Sequence, residues 1–260
     1  MHALTYAPSH YRQKIDKKIN RMNHKYHQFE SAIEKYQTVS WYKHIQTVLS
    51  WVVICAQVLS LINLVQTYTT PSFLGFIATL ICAYLATDFI NGLVHMLMDN
   101  NTHYTSCFGP LIADFHLHHY KLNYQEKHPV KIYFTESGYK VWLVFYLLLL
   151  IYLQHTGVLP CNLNLGLVAF GILSSFAELS HYWCHQPTTN HGMIRFLQKY
   201  RLLLSLEHHR LHHVQDNTHY AFLNGISNPL LNVIARVGFK GYKNYSDQYV
   251  RAYFKKHQHV

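Results

Sequence analysis

Histidine is the residue type whose placement carries chemistry in this chain. The sequence holds 22 histidines in 260 residues, and four strings concentrate them: His95-x-x-x-Asp99, His116-x-His118-His119, His181-x-x-x-His185, and Glu207-His-His-Arg-Leu-His-His213. Residues four apart share a helix face. His95 therefore pairs with Asp99, His181 with His185, His208 with His212, and His209 with His213. Imidazoles presented this way suit iron, zinc, copper or nickel, so ligand type alone does not fix the metal. Ligand number narrows it further, because a structural or hydrolytic zinc is satisfied by three or four ligands. His95, His118, His119, His181, His185, His209, His212 and His213 make eight candidates, with His208 and Asp99 in reserve. Such a set is enough for two ions, left cationic by mostly neutral ligands and suited to O2-derived anions. Asp88, seven residues before His95, and Glu178, three before His181, are placed to hold the imidazole N–H groups as supporting carboxylates. Glu207 opens the last string and is a further supporting candidate. His116 fits a surface loop, and His155, far from the others, is given no role.

These strings need elements to hold them, and the charge pattern says which. No Lys or Arg occurs between Lys43 and Lys121, where the only acids are Asp88, Asp99 and Asp114, and between Lys140 and Arg195 the only charge is Glu178. Soluble domains, at about 25% charged residues, seldom leave such gaps. Four segments approach the roughly 20 apolar residues a membrane helix needs: 47–68, 72–97, 141–159 and 165–183. Short turns at 69–71 and 160–164 make them two helical hairpins. All 22 Lys and Arg lie in residues 1–43, in 121–140 or after 194. The positive-inside rule then puts the N-terminus, the middle loop and the C-terminus in the cytoplasm, of a bacterial inner membrane or of the endoplasmic reticulum. The expected fold is an all-α integral membrane protein. A basic N-terminal arm (1–43) precedes a membrane domain (44–260), whose histidine-rich region (184–260) forms a cytoplasmic helical cap over a di-metal site. The arm has no apolar signal-peptide core and reads as a basic helix on anionic headgroups or a solvated segment. Cys55, Cys82, Cys107, Cys161 and Cys184 are scattered, without disulfide or thiolate-zinc spacing. The net charge of +10 follows from membrane orientation, and no nucleic-acid recognition motif accompanies it.

In order and spacing, Ala86-Thr-Asp-Phe-Ile-Asn-Gly-Leu-Val-His95 with Asp99, the His118-His119 pair, His181-x-x-x-His185, and HHRLHHV running into Thr218-His-Tyr and Asn228-Pro-Leu resemble the Kua/CarF lipid desaturase family. The resemblance runs from about Ala86 to Phe239. It places the family's histidine motifs on His95, His118, His119, His181, His185, His208, His209, His212 and His213, and adds His128 as a possible ligand. The chain departs from the family pattern at His116 and at Tyr120-Lys121-Leu122, and matches it only loosely at Tyr133–Glu136. The resemblance implies a membrane enzyme with two iron ions that uses O2 to desaturate an alkyl or acyl chain of a phospholipid, vinyl-ether formation included. Removing hydrogen from unactivated carbons needs a redox cofactor. The sequence offers no flavin, nicotinamide or haem motif, so the electron donor is expected to be a separate protein of cytochrome b5 or ferredoxin type. Lys121, Lys127 and Arg210 are the cations expected near the lipid phosphate.

Three other functions use the same residues. A related di-iron hydroxylase would return oxygen to carbon. A divalent-metal transporter would use His95 and Asp99 as an ion path, but transport needs a route through the midplane, and the polar ligands cluster at one end of the spans. A histidine-rich membrane protein without catalysis would be indifferent to single His→Ala changes.

Overall fold

The computed structural model describes residues 9–67, 69, 71–120, 128–135, 140–185, 192–215, 217–239 and 246–257. Among them all regular structure is helical. A basic helix, α1 (Ser9–Thr38), precedes the two longest apolar helices, α2 (Trp41–Thr67) and α3 (Phe73–Asp99). After α4 (Gly109–Leu117) and α5 (Pro129–Thr135), the chain returns through α6 (Lys140–His155), α7 (Cys161–Ser175) and α8 (Ala177–His185). Four short helices close it: α9 (Gly192–Lys199), α10 (Leu206–Val214), α11 (Asn228–Gly238) and α12 (Ser246–His257).

The helix starts are written locally. Ser72 caps α3, its Oγ accepting from Gly75 N–H at 3.2 Å. Pro110 and Pro229 sit in the first turns of α4 and α11, where a missing N–H costs nothing. In lipid every backbone group must find its partner inside the segment, which is why the apolar stretches are helices at all.

Two helices, α2 and α3, are long and apolar enough to cross a membrane, and up to four spans result if each bent helix pair counts as one. Of the third and fourth expected spans, the third falls on the single short helix α6 and the fourth on a broken pair. The 16 residues of α6 reach about 24 Å at 1.5 Å per residue, short of the roughly 30 Å hydrocarbon core. The fourth breaks at Phe176, where α7 and α8 meet at 43°. Phe176 N–H bonds back to Leu173 O while Phe176 O accepts from Ser180 N–H, so the break leaves both helix ends satisfied. The hairpin expectation also needs correction for the first pair. α2 packs chiefly on α6 and α7, and α3 chiefly on α7, so α2 and α3 part at their turn and pair with the other hairpin. Polar ties cross these contacts: Gln154 Nε2 donates to Ser60 O at 3.0 Å and to Asn164 Oδ1 at 2.8 Å, and Gln57 Nε2 to Gly171 O at 3.0 Å. Such bonds hold membrane helices where no hydrophobic difference can. Lys140, buried at the start of α6, donates to Ser50 Oγ at 3.0 Å and lies 3.2 Å from the Tyr133 ring centre, tying α5 and α6 to α2.

The N-terminal arm is largely exposed along α1 but packs on the rest of the chain near its C-terminal end. Phe29, Ala32 and Ile33 of α1 are buried against Tyr104, Ile112, Ala113, Leu117, Tyr249 and Val250. Burying Phe29 and Ile33 is worth about 1.5–3 kcal/mol each, and this core fastens α1 to α4 and α12. On the other side of the site, Gly92 lets α11 approach α3. A Cβ there would lie 2.5 Å from Leu231 Cδ1 and 3.0 Å from Ala221 Cα.

Candidate metal centre

The C-terminal ends of α3, α4 and α8 meet α10, and the histidines of all four strings meet with them. Among the described residues, three groups of side chains could each hold a metal ion, their ligand atoms lying within 4.8 Å of one another. The first is His95, Asp99, His118, His119 and His212; the second His118, His181 and His185; the third His185, His209 and His213. His118 and His185 belong to two groups each, so the three form one continuous cluster.

The distances inside it fit ligands better than hydrogen-bond partners. The Nε2 atoms of His181, His185 and His209 form a triangle with sides of 3.1 Å, and His213 Nε2 is 3.1 Å from His209 Nε2. Each Nε2 offers one in-plane proton or lone pair, so three of them cannot satisfy one another around a triangle. They can share a cation, since metal–imidazole distances near 2.1 Å give an N–M–N angle of roughly 95° at this separation. Around Asp99 the pattern repeats. His119 Nε2 is 2.9 Å from Oδ1, while His212 Nε2 is 3.1 Å and His95 Nε2 3.6 Å from Oδ2. Among the described residues, His95 Nε2 and His118 Nε2 are buried without a hydrogen-bond partner, an expensive state that a metal ion would relieve.

Four of the opposite ring nitrogens face other groups. His95 Nδ1 lies 2.8 Å from Tyr220 O, His212 Nδ1 3.0 Å from Thr218 O, and His119 Nδ1 3.0 Å from Asp247 Oδ1. His118 Nδ1 contacts Phe115 O. A proton held on Nδ1 leaves the Nε2 lone pair for the metal, the usual second half of a histidine site. Burial, reinforced by neighbouring imidazoles, pushes His118 and His209 well below the ordinary histidine range. Both are therefore neutral and able to ligate near pH 7.

Several expected residues lie elsewhere. His208 is exposed on α10 with its Nδ1 3.3 Å from Ser205 Oγ, so of that string His209, His212 and His213 enter the cluster and His208 does not. Glu207 is exposed beside it, and His128 is exposed before α5. His116 is not on a surface loop. It is buried, its Nδ1 2.9 Å from the Tyr104 hydroxyl and its Nε2 3.0 Å from Met98 O, outside the metal-holding groups. Asp88 does not support His95. It accepts from Asn224, Gly225 and Ser227 N–H at 2.9, 3.2 and 3.0 Å and from Ser227 Oγ at 2.5 Å. Asp88 thus pins the loop that carries the Tyr220 carbonyl. Glu178 does face its histidine, at 3.8 Å from His181 Nδ1, within ion-pair range but too long for a hydrogen bond. Lys121 and Lys127 lie outside the described residues.

Asp247 is the contact sequence reasoning missed. It comes from α12, far from any histidine string, and no spacing rule links it to His119. The loop 217–224 was equally hidden. Asn217 and His219 hold left-handed backbone there, at φ 47° and 59°. Asn228 Oδ1 accepts from Ala221 N–H and Asn232 Oδ1 from His219 N–H, which aims two carbonyls at His95 and His212.

Residues 84–237, more than half of the chain and all nine clustered ligands, match the family model described as a lipid desaturase domain. The chain belongs to the lipid desaturase family. It is 27% identical over 165 residues to the plasmanylethanolamine desaturase of Myxococcus xanthus, a match covering 61% of this chain and 56% of that protein. The chain therefore aligns with little more than half of that relative's length. No solved structure matches it. Membership agrees with the resemblance drawn from the histidine strings, and with helices able to cross a membrane.

Proposed function

We propose that this chain is a membrane-bound, O2-dependent di-iron lipid desaturase that introduces a double bond into an alkyl or acyl chain of a phospholipid. The observation that carries the proposal is the convergence of eight imidazoles and Asp99 in one buried, continuous cluster. A single zinc site would leave half of those ligands unused. His95, Asp99, His118, His119 and His212 would hold one ion, and His181, His185, His209 and His213 the other, with His118 near both. Bound there, iron supplies the oxidising power to remove hydrogen from unactivated C–H bonds, which no side chain can do. The balance is that –CH2–CH2– becomes –CH=CH–, and the two hydrogens removed, together with O2, two electrons and two protons, become two waters. A separate cytochrome b5- or ferredoxin-type protein would supply the electrons.

The protein's own part is positional. Tyr220 O, Thr218 O and Asp247 fix the rings, and Asp88 fixes the loop that carries the first two carbonyls. The buried cluster excludes bulk water from the reacting carbons, and Arg210 stands exposed on α10 for an anionic headgroup. The membrane domain is read as 44–260 with both termini cytoplasmic, α1 serving as part of the cap. Vinyl-ether formation is included among the outcomes proposed, since one relative is named a plasmanylethanolamine desaturase. Transport is disfavoured because, among the described residues, no metal-holding group occurs along the middle of the spans.

The test is lipid mass spectrometry on cells expressing wild type beside His212→Ala, with metal analysis of both purified proteins. A lipid two hydrogens lighter, absent from the variant, with two irons in the wild type, is expected. A product one oxygen heavier would make the chain a hydroxylase. Bound zinc with unchanged lipids would refute the di-iron proposal and favour transport.

A further inference from the structure

A groove of about 650 Å³ runs along α3 between α6 and α7. Its floor is a row of small side chains on α3, Ala78, Cys82 and Ala86, walled by Tyr146, Leu167 and Phe170. The α3 lining runs from Ala78 to Ile90, 12 steps or about 18 Å of helix. At its inner end the groove meets a small cavity of about 30 Å³, and Trp142 lines both. That cavity is bounded on one side by His95 and His181, whose ring centres are 5.2 Å apart. These two histidines come from different metal-holding groups, so an atom in the cavity faces both.

The small cavity is walled mostly by apolar side chains but carries buried polar groups, Lys140, Ser175 and Glu178 among them. Asn91 and Ser174 line it and are buried, with 4% and 3% of their surface exposed. Among the described residues, Asn91 Nδ2 and Ser174 Oγ have no hydrogen-bond partner. Unpaired buried donors are costly, and here two of them stand where an apolar groove ends. The volume suits about two water-sized groups, which excludes a phosphate and admits one oxygen with its neighbouring carbon.

We infer that the groove seats one hydrocarbon tail of a phospholipid, and that Asn91 and Ser174 donate to the ether or ester oxygen that joins the tail to its backbone. The length supports this orientation. One leaflet contributes about half of the roughly 30 Å hydrocarbon core, so an 18 Å groove takes a whole tail, methyl end toward Ala78. The carbons at the linkage are then the ones facing His95 and His181. This inference rests on the desaturase proposal for its chemistry but not for its binding step.

The experiment pairs a plug with a donor deletion. Ala78→Phe fills the far end of the groove at an exposed position, where folding is not at stake. Asn91→Leu combined with Ser174→Ala removes both donors at nearly constant volume. Full-length proteins are purified from membranes containing diacyl lipids alone or supplemented with alkyl-ether lipids. Carried-over lipids, lipid products and iron content are measured on each. Ala78→Phe is expected to shift carried-over and product lipids several-fold toward shorter tails, with the double bond at an unchanged carbon counted from the linkage oxygen. The donor-deleted variant is expected to keep its iron, lose about tenfold in kcat/KM and scatter the bond position. Which lipid set responds identifies the ether or the ester oxygen. An unchanged tail-length profile in Ala78→Phe would overturn the seat, and a bond position that moves with the plug would overturn its orientation. Unchanged rate and position in the donor-deleted variant would overturn the oxygen contact. A wild type that carries tails displaced by the plug, yet alters no lipid, would leave the seat standing and remove the desaturase proposal.

Discussion

Gly92→Ala is the substitution that links helix packing to metal binding most directly. In an isolated helix the change would be favourable by about 0.8–1 kcal/mol. Here the new methyl would sit 2.5 Å from Leu231 Cδ1 and 3.0 Å from Ala221 Cα. Leu231 is fully buried, so it can escape only by pushing α11 outward. Ala221 can give way only by moving backbone, and its neighbour Tyr220 holds His95 through a 2.8 Å carbonyl contact. Overpacking of this kind costs about 1–3 kcal/mol, which leaves a net loss of up to about 2 kcal/mol. The larger effect should fall on the metal, because disturbing the partner of a ligating histidine typically costs 10–100-fold in affinity. Gly238→Ala is the control, since a Cβ there meets nothing within 4 Å. Both variants would be titrated with iron under a competing chelator and unfolded thermally in the same nanodiscs. If Gly92→Ala matches Gly238→Ala in iron affinity, the coupling of α11 packing to His95 is wrong.

Asp247→Asn should lower iron affinity by about 10–100-fold while leaving the apo protein's thermal midpoint within a few degrees, because it loses the 3.0 Å contact to His119 and little packing. Equal affinity in a chelator titration would assign the α12 carboxylate no part in the site. His116→Gln should lower stability and retain iron, whereas His118→Ala should lose iron, and metal analysis of the two separates the buried structural histidine from the ligand two residues on. Asp114 gives a pH signature. Burial pushes its carboxyl up to about 7, against the pull of the Tyr36 hydrogen bond and Lys43. A raised acid pKa means the folded state holds its proton longer than the unfolded chain. Its stabilisation is therefore complete below about pH 4 and is lost as pH rises toward 7, by at most about 4 kcal/mol. Asp114→Asn should then gain on wild type between pH 5 and pH 8 in thermal unfolding, and a difference constant with pH would refute the assignment.

What the sequence disclosed and what it hid divide along a physical line. His181 and His185, or His209 and His213, meet because helical period forces residues four apart onto one face, and periodicity is local information. The apolar runs were legible for the same reason: a span is a property of about twenty consecutive residues. What failed were inferences that carried local period across a tertiary contact. Asp88 is one helical face with His95 in sequence, yet it bonds a loop more than 130 residues away, because three N–H groups and a hydroxyl satisfy a buried carboxylate better than one imidazole could. His208 and His209 were equivalent as letters, and only the packing of α10 against α8 turned His209 inward. Asp247 had no local partner at all. The candidate ligands are therefore readable from one-dimensional spacing, while the groups that orient them come from α12 and from the loop locked by Asp88, Asn228 and Asn232. Metal affinity should accordingly be as sensitive to α11 and α12, which supply no ligand, as to the helices that do.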